Sequence, residues 1–226
     1  MTIDKSTEKS KNGTRARRRR GDDTRRKVEV AAGRLFTERG YQATTMQVIA
    51  DEAGVHVQTI YLAYGTKAAV LAAAATRLVA GDDDPDSHPS QRRWAREIMA
   101  ADDPVEKVRL YVRHVREVTP RILRLVDVLR ATAPSDPDVA SFLAHMQEGR
   151  REGPYALLAP LADAGQLRAG LTRASAADIT YALASADTFR ALVDDRGWSW
   201  PRAERWIAGQ LRHALLSDDV GPADRS

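Results

Sequence analysis

The stretch from Thr44 to Lys67 constrains this chain more than any other. Met46, Ile49, Ala50 and Ala53 fall at i, i+3, i+4 and i+7, one face of a short helix. Gly54 follows, where a helix end takes a left-handed residue. Val57, Ile60, Tyr61 and Tyr64 repeat the same spacing on a second helix, and Gly65-Thr66 breaks and restarts the chain, with Thr66 as N-cap. Two helices crossing steeply over so short a turn leave no room for bulk, and Ala50 and Ala53 stand at the crossing. The pattern is a helix-turn-helix, whose second helix is shaped for a DNA major groove.

The same residues resemble the DNA-binding domain of the tetracycline-repressor (TetR) family of bacterial regulators. The matching motifs are Thr44-Thr45, Ile49-Ala50, Ala53-Gly54-Val55, Thr59-Ile60-Tyr61, Tyr64 and Gly65-Thr66-Lys67, with Ala31-Ala32, Leu35-Phe36 and Gly40-Tyr41 upstream. Two positions depart from the pattern. Ala63 stands where the family usually has a Tyr or His on a phosphate, and His56 where a Ser often opens the recognition helix. The resemblance implies an all-α homodimer with a DNA-binding domain and a larger helical domain for ligand binding and dimerisation. It also implies Thr44, Thr45, Tyr61 and Lys67 as phosphate-facing residues. Gln47, His56, Val57, Gln58 and Leu62 are the base-facing candidates, since Gln bonds bidentately to adenine and Val or Leu touches a thymine methyl.

Charge is distributed to match. The net charge is +4, yet residues 1–70 hold 14 Lys/Arg against 8 Asp/Glu, while 71–226 hold 21 against 23. The positive part coincides with the helix-turn-helix, as nucleic-acid binding requires. Residues 1–23 are polar and lack apolar periodicity, which predicts a disordered basic arm. Arg15, Arg17, Arg18, Arg19 and Arg20 either enter a minor groove or only add non-specific attraction.

The organisation expected is an arm over 1–23, a helix-turn-helix domain over 24–70, a helical domain over 71–217 and a flexible tail over 218–226. The first helix should run from about Asp22-Asp23-Thr24 to Gly40, with Val28, Ala31, Ala32, Leu35 and Phe36 inward. In the second domain Pro120 should open a new helix, Gly153-Pro154 kink or restart another, and Ser175–Asp195 and Pro201–Ser217 form the last two. By the resemblance, this last pair joins its copy in a four-helix bundle through Leu183, Trp206, Ile207, Leu211 and Leu215; the alternative is burial inside one chain. Trp94, Tyr111, His114, Leu125, Phe142, Met146 and Tyr155 are the candidate lining of an effector pocket, or ordinary core.

Other chemistry finds no footing. The chain has no cysteine, so neither disulfides nor thiolate metal sites arise. Asp82, Asp84 and Asp86 start like a calcium loop, but Ser87 replaces the turn glycine and Arg93 the closing glutamate. No metal or other cofactor is expected, and no phosphate loop or nucleophile elbow occurs. With no apolar run of membrane length and no secretory leader, a cytoplasmic location without membrane contact is expected. The sequence therefore reads as a transcriptional regulator. Its expected action is repression of a palindromic operator, relieved by a small apolar or amphipathic effector, with double-stranded DNA as partner. The alternatives are a non-specific architectural DNA-binding protein and a helical enzyme.

Overall fold

The structure is a computed structural model that describes residues 5–81, 87–88 and 91–217, with side chains from Gly21 onward except that of Ala156. The described residues are helical, and their one β-type pairing is an isolated bridge between Leu167 and Leu216. They form two compact units: residues up to 77 with 127–140, and 78–126 with 141 onward.

In the first unit, α1 (Lys5–Ala43) starts well before Asp22, and the chain leaves helical geometry at Gly40, φ 76°. Nothing between Lys5 and Asp22 forbids a helix: the segment is rich in Lys and Arg and has no proline. The arm arginines' side chains lie outside the described residues, as does the expected tail from 218. Val28, Ala31, Ala32, Leu35 and Phe36 are buried, as their spacing predicts, together with Ile49, Ile60, Val70 and Leu71. The short helices α2 (Met46–Ala53) and α3 (Val57–Tyr64) are closed by their caps. Val48 N–H donates to Thr45 Oγ1 (3.2 Å). Gly54, left-handed at φ 66°, donates its N–H to the carbonyls of Ala50 and Asp51. Ala69 N–H donates to Thr66 Oγ1 (3.1 Å), opening α4 (Lys67–Ala80) at the expected cap.

In the second unit, α5 (Arg93–Ala100) ends before Asp103, whose carboxylate accepts from Val105 N–H (2.9 Å) to start α6 (Pro104–Thr132). Here one sequence expectation needs correcting, and of the two offered for Gly153-Pro154 the restart falls away. Pro120 lies inside α6 rather than at a helix start, and α7 (Pro137–Asp163) runs through Pro154 and Pro160 without restarting. A proline removes one intrahelical hydrogen bond, a cost that packing on both sides of it outweighs: Val112 and Leu125 flank Pro120, and Leu157, Leu158 and Leu161 surround the α7 prolines, all buried.

The helix expected over Ser175–Asp195 is likewise broken, into α8 (Arg173–Leu183), α9 (Ala186–Arg190) and a π turn over Ala191–Asp195. The interruption is capped. Ser185 Oγ accepts from Thr188 N–H (3.0 Å), and Thr188 Oγ1 donates to the Ala182 carbonyl (2.8 Å). The last helix, α10 (Trp200–Leu215), closes a core with Val108, Leu158, Leu161 and Phe189.

Candidate nucleic-acid interface

The helix-turn-helix presents its reading face on a tightly held base. Ile60 anchors α3 to the core, while His56, Gln58, Thr59, Tyr61, Leu62 and Ala63 are exposed. Leu62 is 89% exposed, the most open large apolar side chain among the described residues. Val57 is half-buried and shares the anchoring side. His56 stands at the N-cap position but makes no side-chain capping bond, so its ring takes no part in closing the helix. On α2, Gln47 is exposed and donates from Nε2 to Asp51 Oδ1 (2.7 Å).

The residues expected to face phosphate divide. Thr45 is exposed at the N-terminus of α2, where backbone N–H groups and the helix dipole favour an anion. Tyr61 is 48% exposed. Thr44, by contrast, is fully buried, and its hydroxyl donates to the carbonyls of Gly40 (2.8 Å) and Leu35 (3.3 Å). Its side chain closes the bend after α1. Lys67 also turns inward. Its ammonium donates to the Tyr41 carbonyl (2.9 Å) and sits 4.0 Å over the Tyr41 ring, and burial holds its pKa below the usual lysine value.

Two polar nodes that the sequence reading missed hold this face in place. Glu29 is buried on α1, where it pairs with Arg77 of α4 and accepts from the Tyr64 hydroxyl at the end of α3 (3.1 Å). One carboxylate thus ties three helices together. Burial, with Glu29 beside it, pushes the Tyr64 phenol far above its ordinary value. The second node is Tyr41, whose hydroxyl donates to Asp136 Oδ2 (2.8 Å) in the corner between α6 and α7. Asp136 also caps α7, accepting from the N–H groups of Asp138 (3.1 Å) and Val139 (3.2 Å), and these bonds keep its carboxyl below the usual carboxylate range. A signal for the first node was present: Glu29 is three residues before Ala32 and seven before Phe36, inside the apolar stripe.

The seven candidate effector residues do not converge. Trp94 and His114 stack with ring centroids 4.1 Å apart and line a cleft with Val79, Ala80, Arg93, Glu117, Val118 and Arg121. The cleft is small, about 40 Å³. Trp94 Nε1 is buried and has no hydrogen-bond partner among the described residues. Tyr111 belongs to the main core instead, where burial pushes its phenol up to about 12. Leu125 is also fully buried, Phe142 and Met146 are half-buried, and Tyr155 is 46% exposed.

Of the residues expected at a dimer interface, three on α10 lie inward. Ile207, Leu211 and Leu215 are fully buried inside the single chain, packed in the core with Phe189 and Leu158. They form the inward stripe of an amphipathic helix, and the apparent width came from Trp206 beside them. Trp206 is 40% exposed and packs edge-on against Trp198 (5.9 Å), whose ring Arg202 covers at 4.0 Å. Leu183 is half-buried. Among the described residues no group of His, Asp or Glu is placed to hold a metal ion, and no helix is long and apolar enough to cross a membrane.

Comparison with known proteins places this geometry in context. Residues 30–74 match the tetR family of bacterial regulatory proteins. Curated proteins return no match. Among solved structures, the fold is similar to the SmeT–triclosan complex at 21% identity, covering 88% of this chain and 94% of that one, TM-score 0.68. It is also similar to the transcriptional regulator FadR from Bacillus subtilis in complex with stearoyl-CoA, at 18% identity over 83% and 97% of the two chains, TM-score 0.65. A third is NalD, the secondary repressor of the MexAB-OprM multidrug efflux pump in Pseudomonas aeruginosa, at 18% identity over 87% and 97%, TM-score 0.63.

Proposed function

We propose that this chain, whose residues 30–74 match the tetR family of bacterial regulatory proteins, is a transcriptional repressor of that family. Two copies hold a palindromic operator and release it when a small apolar or amphipathic molecule binds. The observation that carries this reading is the exposed side of α3, uncharged and free of intramolecular duties, on a base pinned by Ile60 and the Glu29 node. Gln58 and Leu62 stand one turn apart on that side, with His56 before them and Gln47 on the preceding helix. Thr45 and Tyr61 supply phosphate contacts that fix register. Lys67 contributes by steadying Tyr41.

Two copies are needed because one eight-residue reading helix covers too little sequence for useful selectivity, and simultaneous engagement of two half-sites supplies most of the affinity. The solvent side of α10 around Trp206 and Arg202 is the surface that suits self-association, since its inward side is spent on the core. For the effector, the similar folds that hold triclosan and stearoyl-CoA support an apolar or amphipathic class. In this chain the cleft beside Trp94 and His114 is the site offered to such a molecule; at about 40 Å³ it must widen, by parting the two stacked rings, to admit one. Location in the cytoplasm follows from this role.

The test is retention on DNA. Full-length protein is incubated with a random-sequence duplex library at moderate salt, and bound fragments are recovered and sequenced. A regulator enriches one palindrome, held about 10³-fold or more above random DNA. Equal binding to all fragments would replace the repressor with a DNA-coating protein driven by the basic arm.

A further inference from the structure

The reading helix carries no charge at all. Its sequence, Val57 to Tyr64, contains no Lys, Arg, Asp or Glu. At 100° per residue, Val57, Ile60 and Tyr64 share the anchored side. Opposite them come Gln58, Leu62 and Thr59, all exposed, with Ala63 at the edge. The outward side therefore offers one carboxamide, one hydroxyl, a leucine and a methyl group.

That inventory limits which base pairs can be read. The commonest specific contact to guanine is a bidentate Arg or Lys, and a cytosine amino group is read by Asp or Glu. Helix α3 can make neither. The neighbouring described charges do not fill the gap. Arg34 of α1 pairs with Glu38 and Glu52, Asp51 accepts from Gln47, and the Lys67 ammonium is held on Tyr41. What α3 does offer suits an A·T pair. A Gln carboxamide matches adenine N6 and N7, and an apolar side chain packs on the thymine C5-methyl group. Single exposed leucines are ordinary on protein surfaces, so exposure alone would assign Leu62 nothing. Its position decides, because it lies one turn from Gln58 at the centre of the side opposite Ile60.

We infer that the operator half-site is A·T-rich under α3, with Gln58 reading an adenine and Leu62 the methyl group of a thymine. The inference rests on the operator-binding reading above and adds the class of sequence recognised. His56 precedes the helix and stands outside the claim.

The experiment uses the full chain and the site enriched from random duplexes. Each thymine of the half-site is replaced in turn by deoxyuridine, which removes only the C5-methyl, and binding is measured by fluorescence anisotropy. One position should lose roughly four-fold in affinity, the worth of one buried methyl. Leu62→Ala should bind the thymine duplex about as weakly and show no further loss with deoxyuridine. Gln58→Ala should relax selection at a neighbouring A·T position and leave the deoxyuridine effect intact. Leu62 is exposed, so its alanine variant keeps the wild-type melting temperature, which is checked alongside. G·C pairs across the contacted positions, or wild-type indifference to every deoxyuridine, would overturn the inference and leave the repressor standing. Absence of any enriched site would overturn both.

Discussion

Leu211 separates two accounts of the last helix. It is fully buried in the single chain, packed in the cluster that holds Phe189, Ile207 and Leu215. Leu211→Ala removes three carbons, about 2.4 kcal/mol of transfer free energy at ~0.8 kcal/mol each. Incomplete collapse of the cavity raises the total to about 3–4 kcal/mol. For a domain of this general size each kcal/mol moves the melting temperature by about 2–4 °C, so a fall of about 6–16 °C is expected. Leu211→Glu adds an unpaired buried carboxylate, whose cost on top of the lost packing rivals a whole domain's stability of about 5–15 kcal/mol. That variant should lose much of its helicity rather than yield a folded monomer. Circular dichroism melts and light scattering at matched concentrations decide the matter. A Leu211→Glu protein with wild-type helicity and melting but half the mass would refute the core assignment and return Leu211 to an interface. Trp206→Ala is the companion, expected to melt within about 1 kcal/mol of wild type while self-association weakens.

Glu29→Ala leaves Arg77 and the Tyr64 hydroxyl without their shared partner; a loss of about 3 kcal/mol is expected by chemical denaturation, and Glu29→Gln, which keeps an acceptor for Tyr64, should lose less. Lys67→Ala should lower the melting temperature by a few degrees through the loss of the Tyr41 contacts, with an unchanged salt dependence of DNA binding; a slope shallower by about one would make Lys67 a phosphate ligand. Deleting residues 1–20 removes the eight Lys and Arg of the arm, and the dependence of log affinity on log salt should become shallower if they meet DNA. Asp136 has a folded-state pKa held below its ordinary value of 3.8 by the Tyr41 hydroxyl and two backbone bonds, so its contribution is present above about pH 4 and lost as pH falls through the folded value; Tyr41→Phe should flatten acid unfolding in that range.

The legible parts of this molecule are those where local pattern and tertiary use agree. The α2–α3 corner needs a cap at Thr45, a left-handed Gly54 and a restart at Thr66, and each is written in residues with one dominant use. Helix boundaries in the second unit were harder because proline carries two messages. Locally it ends helices, yet Pro120, Pro154 and Pro160 sit inside them, since flanking buried residues outweigh one lost hydrogen bond each. The reverse happened at Ser185, an unremarkable residue in sequence that breaks a helix because its hydroxyl caps the next one. For the effector, an aromatic residue on a helix reads the same whether it lines a cavity or fills a core. Only three-dimensional packing separates Trp94 and His114 from Tyr111.

The reading face and its support differ in chemistry because they do different work. Specific recognition requires α3 to keep one orientation while its outer residues stay unengaged. Apolar packing fully buries only Ile60 and leaves Val57 half-buried, a narrow anchor about which an eight-residue helix can roll. Glu29 prevents the roll by holding the far end of α3 through Tyr64 and α4 through Arg77. Tyr41 does the equivalent for the end of α1, gripping Lys67 at the start of α4 and Asp136 at the start of α7. These bonds are buried or half-buried, so salt screens them less than it screens the phosphate contacts. Polar groups that could have read bases are thus committed beneath the face, and the face itself is left to a carboxamide and apolar groups. If that division is right, substitutions at Glu29 or Tyr41 should weaken binding to all sequences alike, whereas those at Gln58 or Leu62 change which sequence is preferred.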